Sequence, residues 1–234
     1  MSTDDHRSLG LLASVVLATY WAPALSGIVP ALRRPLGVED RTASGRGYAL
    51  TFDDGPDARG TPAVLEVLAR AGARATFFVV GEQVQRNPSL VGEILAAGHT
   101  VGIHCQRHRN LLRLAPWQVR EDLRTARGAI EDLTGQRLSL YRPPYGVLNA
   151  AALRIARASG WRTFLWSHWG RDWEGHATAG SIASLLTRGA TPGSVGLLHD
   201  SDRYSAAESW RRTTAALPEV LDTLAARGLE PSAL

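Results

Sequence analysis

The chain has 234 residues, 44% hydrophobic and 21% charged, which suits one globular domain with a substantial core and excludes a disordered chain. Its net charge of +4 is carried by scattered arginines with no run longer than two, which excludes a nucleic-acid stripe but allows weak attraction to an anionic envelope or membrane surface. The single cysteine, Cys105, excludes an intramolecular disulfide, so stability must come from packing.

Residues 9–32 contain no charged side chain and are followed by Arg33 and Arg34. The run reaches the ~20 residues needed to span a bilayer, although Pro23 and Pro30 interrupt it. It reads as a membrane anchor, as a helix docked on the folded domain, or as a cleaved signal with a small-residue step at Ala22-Pro23-Ala24. Arginine is denser after the segment (Arg33, Arg34, Arg41, Arg46) than before it (Arg7). By the positive-inside rule that favours a cytoplasmic main domain. The expected organisation is a hydrophobic N-terminal segment over 1–34, a polar linker over 35–46 and one catalytic domain over 47–234.

From Gly47 onward strands alternate with helices. Residues 48–52 form a short β-favouring run stopped by the turn cluster Asp53-Asp54-Gly55-Pro56. Residues 62–71 carry Val64, Leu65, Val67 and Leu68 at helical spacing, with Gly72 where a helix C-cap is expected. The apolar run 75–80 predicts a strand buried on both faces. A helix over 89–97 and a strand over 99–103 follow. Further helices are predicted over 116–133, 149–159, 181–188 and 209–227, with strands at 138–141, 162–166 and 194–198. This alternation predicts an α/β fold with a mainly parallel sheet, and its seven or so units suit a barrel better than a short open sheet. In such barrels the chemistry gathers at the C-terminal strand ends.

Unusual residues gather there. Asp53 and Asp54 end the first strand, and a turn can bring both carboxylates to one mouth, where they need a nearby cation. His104 and His108 follow the third strand; on one helical turn that spacing would put both imidazoles on one face. An isolated HxxxH is common by chance, but two histidines with a carboxylate at the same rim form a triad suited to zinc or another divalent transition metal. Arg142-Pro143-Pro144-Tyr145-Gly146 follows another strand, and its arginine can fork onto a carboxylate. Residues 166–173 pack three tryptophans and Asp172 into eight positions, a cluster that serves either as core or as a stacking surface. Leu197, Leu198 and His199 end the last barrel strand.

Assembled in order, these segments resemble the polysaccharide deacetylases of carbohydrate esterase family 4, the NodB-homology domain, over about residues 47–229. TFDDGP at 51–56 resembles the family's first and most specific motif; HCQRH at 104–108, RPPYG at 142–146, RDW at 171–173 and LLH at 197–199 resemble the others. The resemblance implies a distorted (β/α) barrel with about seven strands. It implies that Asp54, His104 and His108 hold one divalent metal ion, zinc by default with cobalt or nickel able to replace it. It further implies Asp53 as catalytic base, Arg142 as the residue orienting that base with Asp172 as the arginine's carboxylate partner, and Tyr145 as the backbone N–H donor to the oxyanion. His199 matches the general acid, and Trp173 and Leu197 match groove residues that bind substrate.

Five positions depart from the pattern or stand outside it. Cys105 replaces a common Ser or Thr and reads as a small buried side chain; Trp169 stands where an additional Asp is frequent; His99, His168 and His176 belong to no motif. The implied activity is hydrolysis of N-acetyl groups on amino sugars of a polysaccharide or peptidoglycan, a C–N bond other than a peptide bond. Alternatives are deacylation of a lipid-linked amino sugar, which membrane association through residues 9–32 would suit, and O-acetyl xylan esterase activity. A non-catalytic glycan-binding module is the reading from another class, and the presence of base, ligands and acid together argues against it. A polymer substrate implies a membrane-associated or extracytoplasmic enzyme, in conflict with the arginine distribution. No nucleic-acid partner is expected.

Overall fold

The computed structural model describes residues 19–234. Nine strands form one sheet: β1 (Val38–Glu39), β2 (Tyr48–Asp53), β3 (Thr76–Val80), β4 (Thr100–Cys105), β5 (Leu140–Tyr141), β6 (Arg162–Phe164), β7 (His168–Trp169), β8 (Ser194–His199) and β9 (Pro231–Ser232). Seven α-helices lie wholly among the described residues: α1 (Gly60–Arg70), α2 (Gly81–Arg86), α3 (Pro88–Ala96), α4 (Pro116–Thr134), α5 (Ala150–Ala158), α6 (Ala179–Thr187) and α7 (Ser209–Ala226).

The sheet order is β1-β6-β5-β4-β3-β2-β8-β7, and every pairing is parallel. β2 lies fully paired with β8 on one edge; its other edge is shared by β3, opposite Thr51–Asp53, and β9, opposite Tyr48 and Ala49. Among the described residues no pairing joins β1 to β7. The chain itself spans that opening as it passes from β6 into β7, with Leu165 N donating to Glu39 O and Ser167 N donating to Val195 O. The result is the expected distorted barrel. β2 and β3 are buried at every residue, β3 as its apolar run requires and β2 with Thr51 and Asp53 buried among apolar neighbours.

Most of the core lies between the sheet and the helices, where Phe52 and Phe77 stack at 5.0 Å. A second, small cluster of Phe78, Leu140 and Phe164 lies apart from it. Helix termini follow their local chemistry. Gly135, at φ 65°, ends α4, and Pro116 opens it. α6 begins before the expected residue 181, because Thr178 and Ser181 cap each other's backbone N–H groups.

The N-terminal region departs from a continuous helix. Ala22–Gly27 and Pro30–Leu32 are 3-10 turns, each with a proline in its first turn. Among the described residues no helix is long and apolar enough to cross a membrane; the part of the expected segment before residue 19 lies outside the described residues. Arg33 reaches Ser26 O, Trp166 O and Asp40, and Tyr20 Oη donates to Leu114 O, so this region is tied to the barrel. Within residues 35–46, expected as a linker, Val38 and Glu39 pair with β6 and Glu39 holds Arg162.

Gly196 on β8 faces the fully buried ring of Tyr48, whose hydroxyl donates to Leu186 O at 3.0 Å. A Cβ at Gly196 would lie 2.3 Å from the Tyr48 hydroxyl oxygen and 2.6 Å from a carbon of its ring. Gly196→Ala is therefore expected to overpack the core by about 1–3 kcal/mol and to lower the thermal midpoint by roughly 3–10 °C, measurable by calorimetry.

Candidate active site

The parallel register brings the site together. Asp53 and His199 are directly paired at the ends of β2 and β8. Arg142 follows β5, and its N–H donates to Ile103 O of β4, one residue before His104. All of these side chains therefore belong to one end of the barrel.

Alternation along a strand would send Asp53 and Asp54 to opposite faces. Asp54 instead takes the left-handed conformation, φ 79°, which a short polar side chain tolerates, and both carboxylates line one cavity of about 270 Å³. The next residue, Gly55, has no room for a side chain, since a Cβ there would lie 2.3 Å from Asp200 Oδ2. Asp200, just beyond β8, is buried and accepts a hydrogen bond from the Thr61 hydroxyl of α1, which holds it against this turn.

His104 and His108 are brought together, but not by a helical turn. Between the pairs Val79–Ile103 and Val80–Cys105 the β3–β4 register shifts, leaving His104 as the extra residue. A bulge of this kind re-aims a side chain, and His108 follows in the loop. Cys105, one strand position on, is buried and stands outside the ligand group. His104 Nε2 and His108 Nε2 lie 3.6 and 3.3 Å from Asp54 Oδ1. Burial holds both imidazoles neutral, at about 3 in each case. Burial also pushes the Asp54 carboxyl up to about 7, opposed by His199 and assisted by Asp53, Asp200 and Asp172. Asp54 Oδ1 is buried without a hydrogen-bond partner. Ligand atoms from the three residues lie within 4.8 Å of one another. An orphaned carboxylate oxygen beside two neutral imidazole nitrogens fits a divalent transition metal.

Arg142 is completely buried. Its guanidinium donates to Asp53 Oδ1 at 2.8 Å, Thr51 Oγ1 at 2.7 Å and Leu165 O at 3.1 Å, and lies 4.2 Å from the Phe78 ring centroid. Its carbonyl oxygen lies 2.7 Å from His104 Nδ1, which fixes the proton there and leaves Nε2 as the ligand atom. Burial raises Asp53 above the usual carboxylate range, while Arg142, His199 and His108 pull it back.

Asp172 is not the partner of Arg142 that the resemblance led us to expect. It accepts from His199 N at 2.7 Å and from the Thr213 hydroxyl at 2.7 Å, and its Oδ1 lies 2.9 Å from His199 Nδ1. The carboxylate partner of Arg142 is Asp53 itself. Burial alone would lower the His199 imidazolium, but Asp172, Asp54 and Asp53 together outweigh it and push the group up to about 10, with Asp172 the largest of the three. Asp172 thus holds His199 protonated at neutral pH, with Nε2 facing Asp54 Oδ2 at 3.9 Å.

Trp173 and Leu197 line the cavity, and so does Tyr145, whose backbone is left-handed at φ 60°. Trp166 and Trp169 extend the wall: the ring centroids run Trp166–Trp169 6.0 Å, Trp169–Trp173 5.6 Å and Trp173–His199 5.5 Å. Two further lining residues, Tyr204 and Ser205, belong to no motif. Only the spacing of a tyrosine five residues after His199, in a polar loop, hinted at them. His99 donates no function to this cavity; its Nδ1 accepts from Ala75 N.

The model of the polysaccharide deacetylase family matches residues 40–164, a stretch that holds Asp53, Asp54, His104, His108, Arg142 and Tyr145 and ends before Asp172 and His199. A peptidoglycan-N-acetylglucosamine deacetylase of Bacillus cereus is 37% identical over 182 residues, covering 77% of this chain and 82% of that protein. A chitooligosaccharide deacetylase of Bradyrhizobium is 35% identical over 207 residues, 86% of this chain and 93% of that one. Among solved structures, the Bc1960 peptidoglycan N-acetylglucosamine deacetylase superposes with a TM-score of 0.79 at 27% identity, over 86% of this chain and 92% of its own.

Because the His199 pKa is raised, the proton is held below about pH 10 and lost as pH rises through that value. Asp172→Asn removes the largest opposing charge and leaves burial opposed only by Asp54 and Asp53, so the titration is expected to move down. Histidine NMR of the metal-free protein reads this directly, and an unchanged His199 titration would remove Asp172 from that role.

Proposed function

The chain belongs to the polysaccharide deacetylase family, and from that premise we propose that it is a metal-dependent hydrolase that removes N-acetyl groups from amino sugars of peptidoglycan or a chitin-like polymer. One observation carries the reading: Asp53 held from behind by Arg142, an Asp54–His104–His108 cluster and His199 held by Asp172 all face one cavity. A glycan-binding module needs none of the three. The names of the relatives in Bacillus cereus and Bradyrhizobium support the same substrate class.

Asp54, His104 and His108 would hold the cation, zinc by donor type, with cobalt or nickel suited to the same set. When bound, it supplies Lewis acidity that acidifies water and polarises a carbonyl. Asp53 is the general base. Its elevated pKa lets it accept a proton from the attacking water, and Arg142 fixes its orientation. The Tyr145 backbone N–H assists the carbonyl oxygen as negative charge develops there. His199 delivers its proton to the amine nitrogen as the C–N bond breaks, because an amine anion is too basic to depart. Water oxygen thus joins the acyl carbon, and acetate and a free amino sugar leave. Trp173 and Leu197 hold the sugar against the wall they share with Trp166 and Trp169.

The same proposal divides the chain into a hydrophobic N-terminal segment (1–34), a connection (35–46) seated on the barrel by β1, and the catalytic unit (47–234). A peptidoglycan substrate places that unit outside the cytoplasm, against the arginine distribution around residues 9–34.

Acetate release from N-acetylglucosamine oligomers and peptidoglycan, with added zinc and then with chelator, tests the reading. Chelator-sensitive release is expected; release that survives full metal removal would sink the metal assignment. Asp53→Asn should lower kcat by about 10²–10⁴-fold with zinc still bound, whereas His104→Ala should lose both zinc and activity. An active Asp53→Asn enzyme would overturn the base.

A further inference from the structure

The two histidines of the cluster are held in different ways. His104 is anchored through Nδ1 by the Arg142 carbonyl at 2.7 Å, and it stands on a strand. His108 stands in a loop, and its Nδ1 is buried without a hydrogen bond to any other residue. A metal-binding histidine ordinarily owes its ring orientation to a hydrogen bond at the nitrogen that does not bind metal. His108 lacks that anchor, yet its Nε2 points to within 3.3 Å of Asp54 Oδ1.

Its ring is held by packing instead. Tyr204 stacks on it with centroids 4.4 Å apart and planes 16° apart, and Tyr145 meets it edge-on at 4.5 Å and 64°. Tyr204 is in turn fixed by two residues of α2: its hydroxyl donates to Glu82 Oε1 at 2.5 Å and accepts from Gln83 Nε2 at 3.0 Å. The loop that carries Tyr204 is itself tied down, since Ala206 N donates to Trp173 O and Glu208 N donates to Asp202 Oδ2. A plane-to-plane stack leaves an imidazole free to slide slightly but not to tilt, so Nε2 keeps its aim.

We propose that Tyr204 is a positioning residue for His108: its pinned ring fixes the imidazole plane in place of the missing Nδ1 hydrogen bond and so sets the affinity of the cluster for its metal. This rests on the reading of Asp54, His104 and His108 as a metal site. Outer-shell partners of ligating histidines typically account for 10–100-fold in metal affinity. The ring supplies most of that effect and the hydroxyl secures the ring.

The test is zinc affinity of the full chain, by competition with a chromophoric chelator, for the wild type, Tyr204→Leu and Tyr204→Phe. Leucine keeps apolar bulk but has no planar face; phenylalanine keeps the face and loses the link to Glu82 and Gln83. Tyr204→Leu is expected to weaken zinc binding by about 10–100-fold, and Tyr204→Phe by a few-fold only, with metal-free thermal midpoints close to wild type. Equal affinity of Tyr204→Leu and wild type overturns the proposal while leaving the metal site intact. A wild type that binds no zinc overturns the metal reading and the proposal with it. Should Tyr204→Leu not fold, Tyr204→Met, which likewise has no planar face, is measured in its place, and affinity equal to wild type there overturns the proposal.

Discussion

Everything at this end of the barrel is referred to one fully buried guanidinium. Arg142 holds the carboxylate of Asp53, the hydroxyl of Thr51 and the carbonyl of Leu165 with its side chain, and it fixes His104 with its own carbonyl. One residue therefore ties β2, β4, β5 and the segment bridging β6 to β7. Breaking a buried ion pair by removing one partner costs about 3–5 kcal/mol, a large share of the ~5–15 kcal/mol that stabilises a typical domain. The interior can hold this charge because its hydrogen bonds are met by the strand ends around it and its face lies against Phe78.

The site then separates its charges into units with opposite protonation. Asp53 faces the arginine, His199 faces Asp172, and Asp54 sits between them beside two neutral imidazoles. Acid and base require groups whose environments drive their proton affinities apart. Here burial raises the carboxyls, and a buried carboxylate, itself held by the Thr213 hydroxyl, raises the histidine. The arrangement puts the proposed donor and acceptor of protons on neighbouring strands, β8 and β2, paired residue for residue.

Around this charged centre the walls are aromatic. Trp166, Trp169 and Trp173 follow one another along one side, and Tyr145 and Tyr204 enclose His108 on another. The N-terminal region joins this wall through Arg33, which donates to the carbonyl of Trp166. Segments far apart in the chain thus share the support of one cavity.

The alternation of apolar runs with helical spacing determined an α/β barrel, because a strand buried on both faces must be apolar throughout and a covering helix only along one stripe. The same reading placed Asp53, Asp54, His104, His108, Arg142 and His199 at one rim, since each is a polar residue at or just beyond a predicted strand end, whereas the groove roles of Trp173 and Leu197 came from the family resemblance alone. Short elements escaped it: β1, β7 and β9 have two residues each, too few for any periodicity. The bulge that turns His104, the left-handed turn at Asp54 and the stack of Tyr204 on His108 were decided only by tertiary structure. So was the partner of Asp172, which lies 27 residues from His199 and 30 from Arg142 in sequence. Local sequence determines which groups arrive at the rim, because backbone propensity and burial act over a few residues; which group touches which depends on strand register and side-chain direction, and those are set by contacts across the whole barrel.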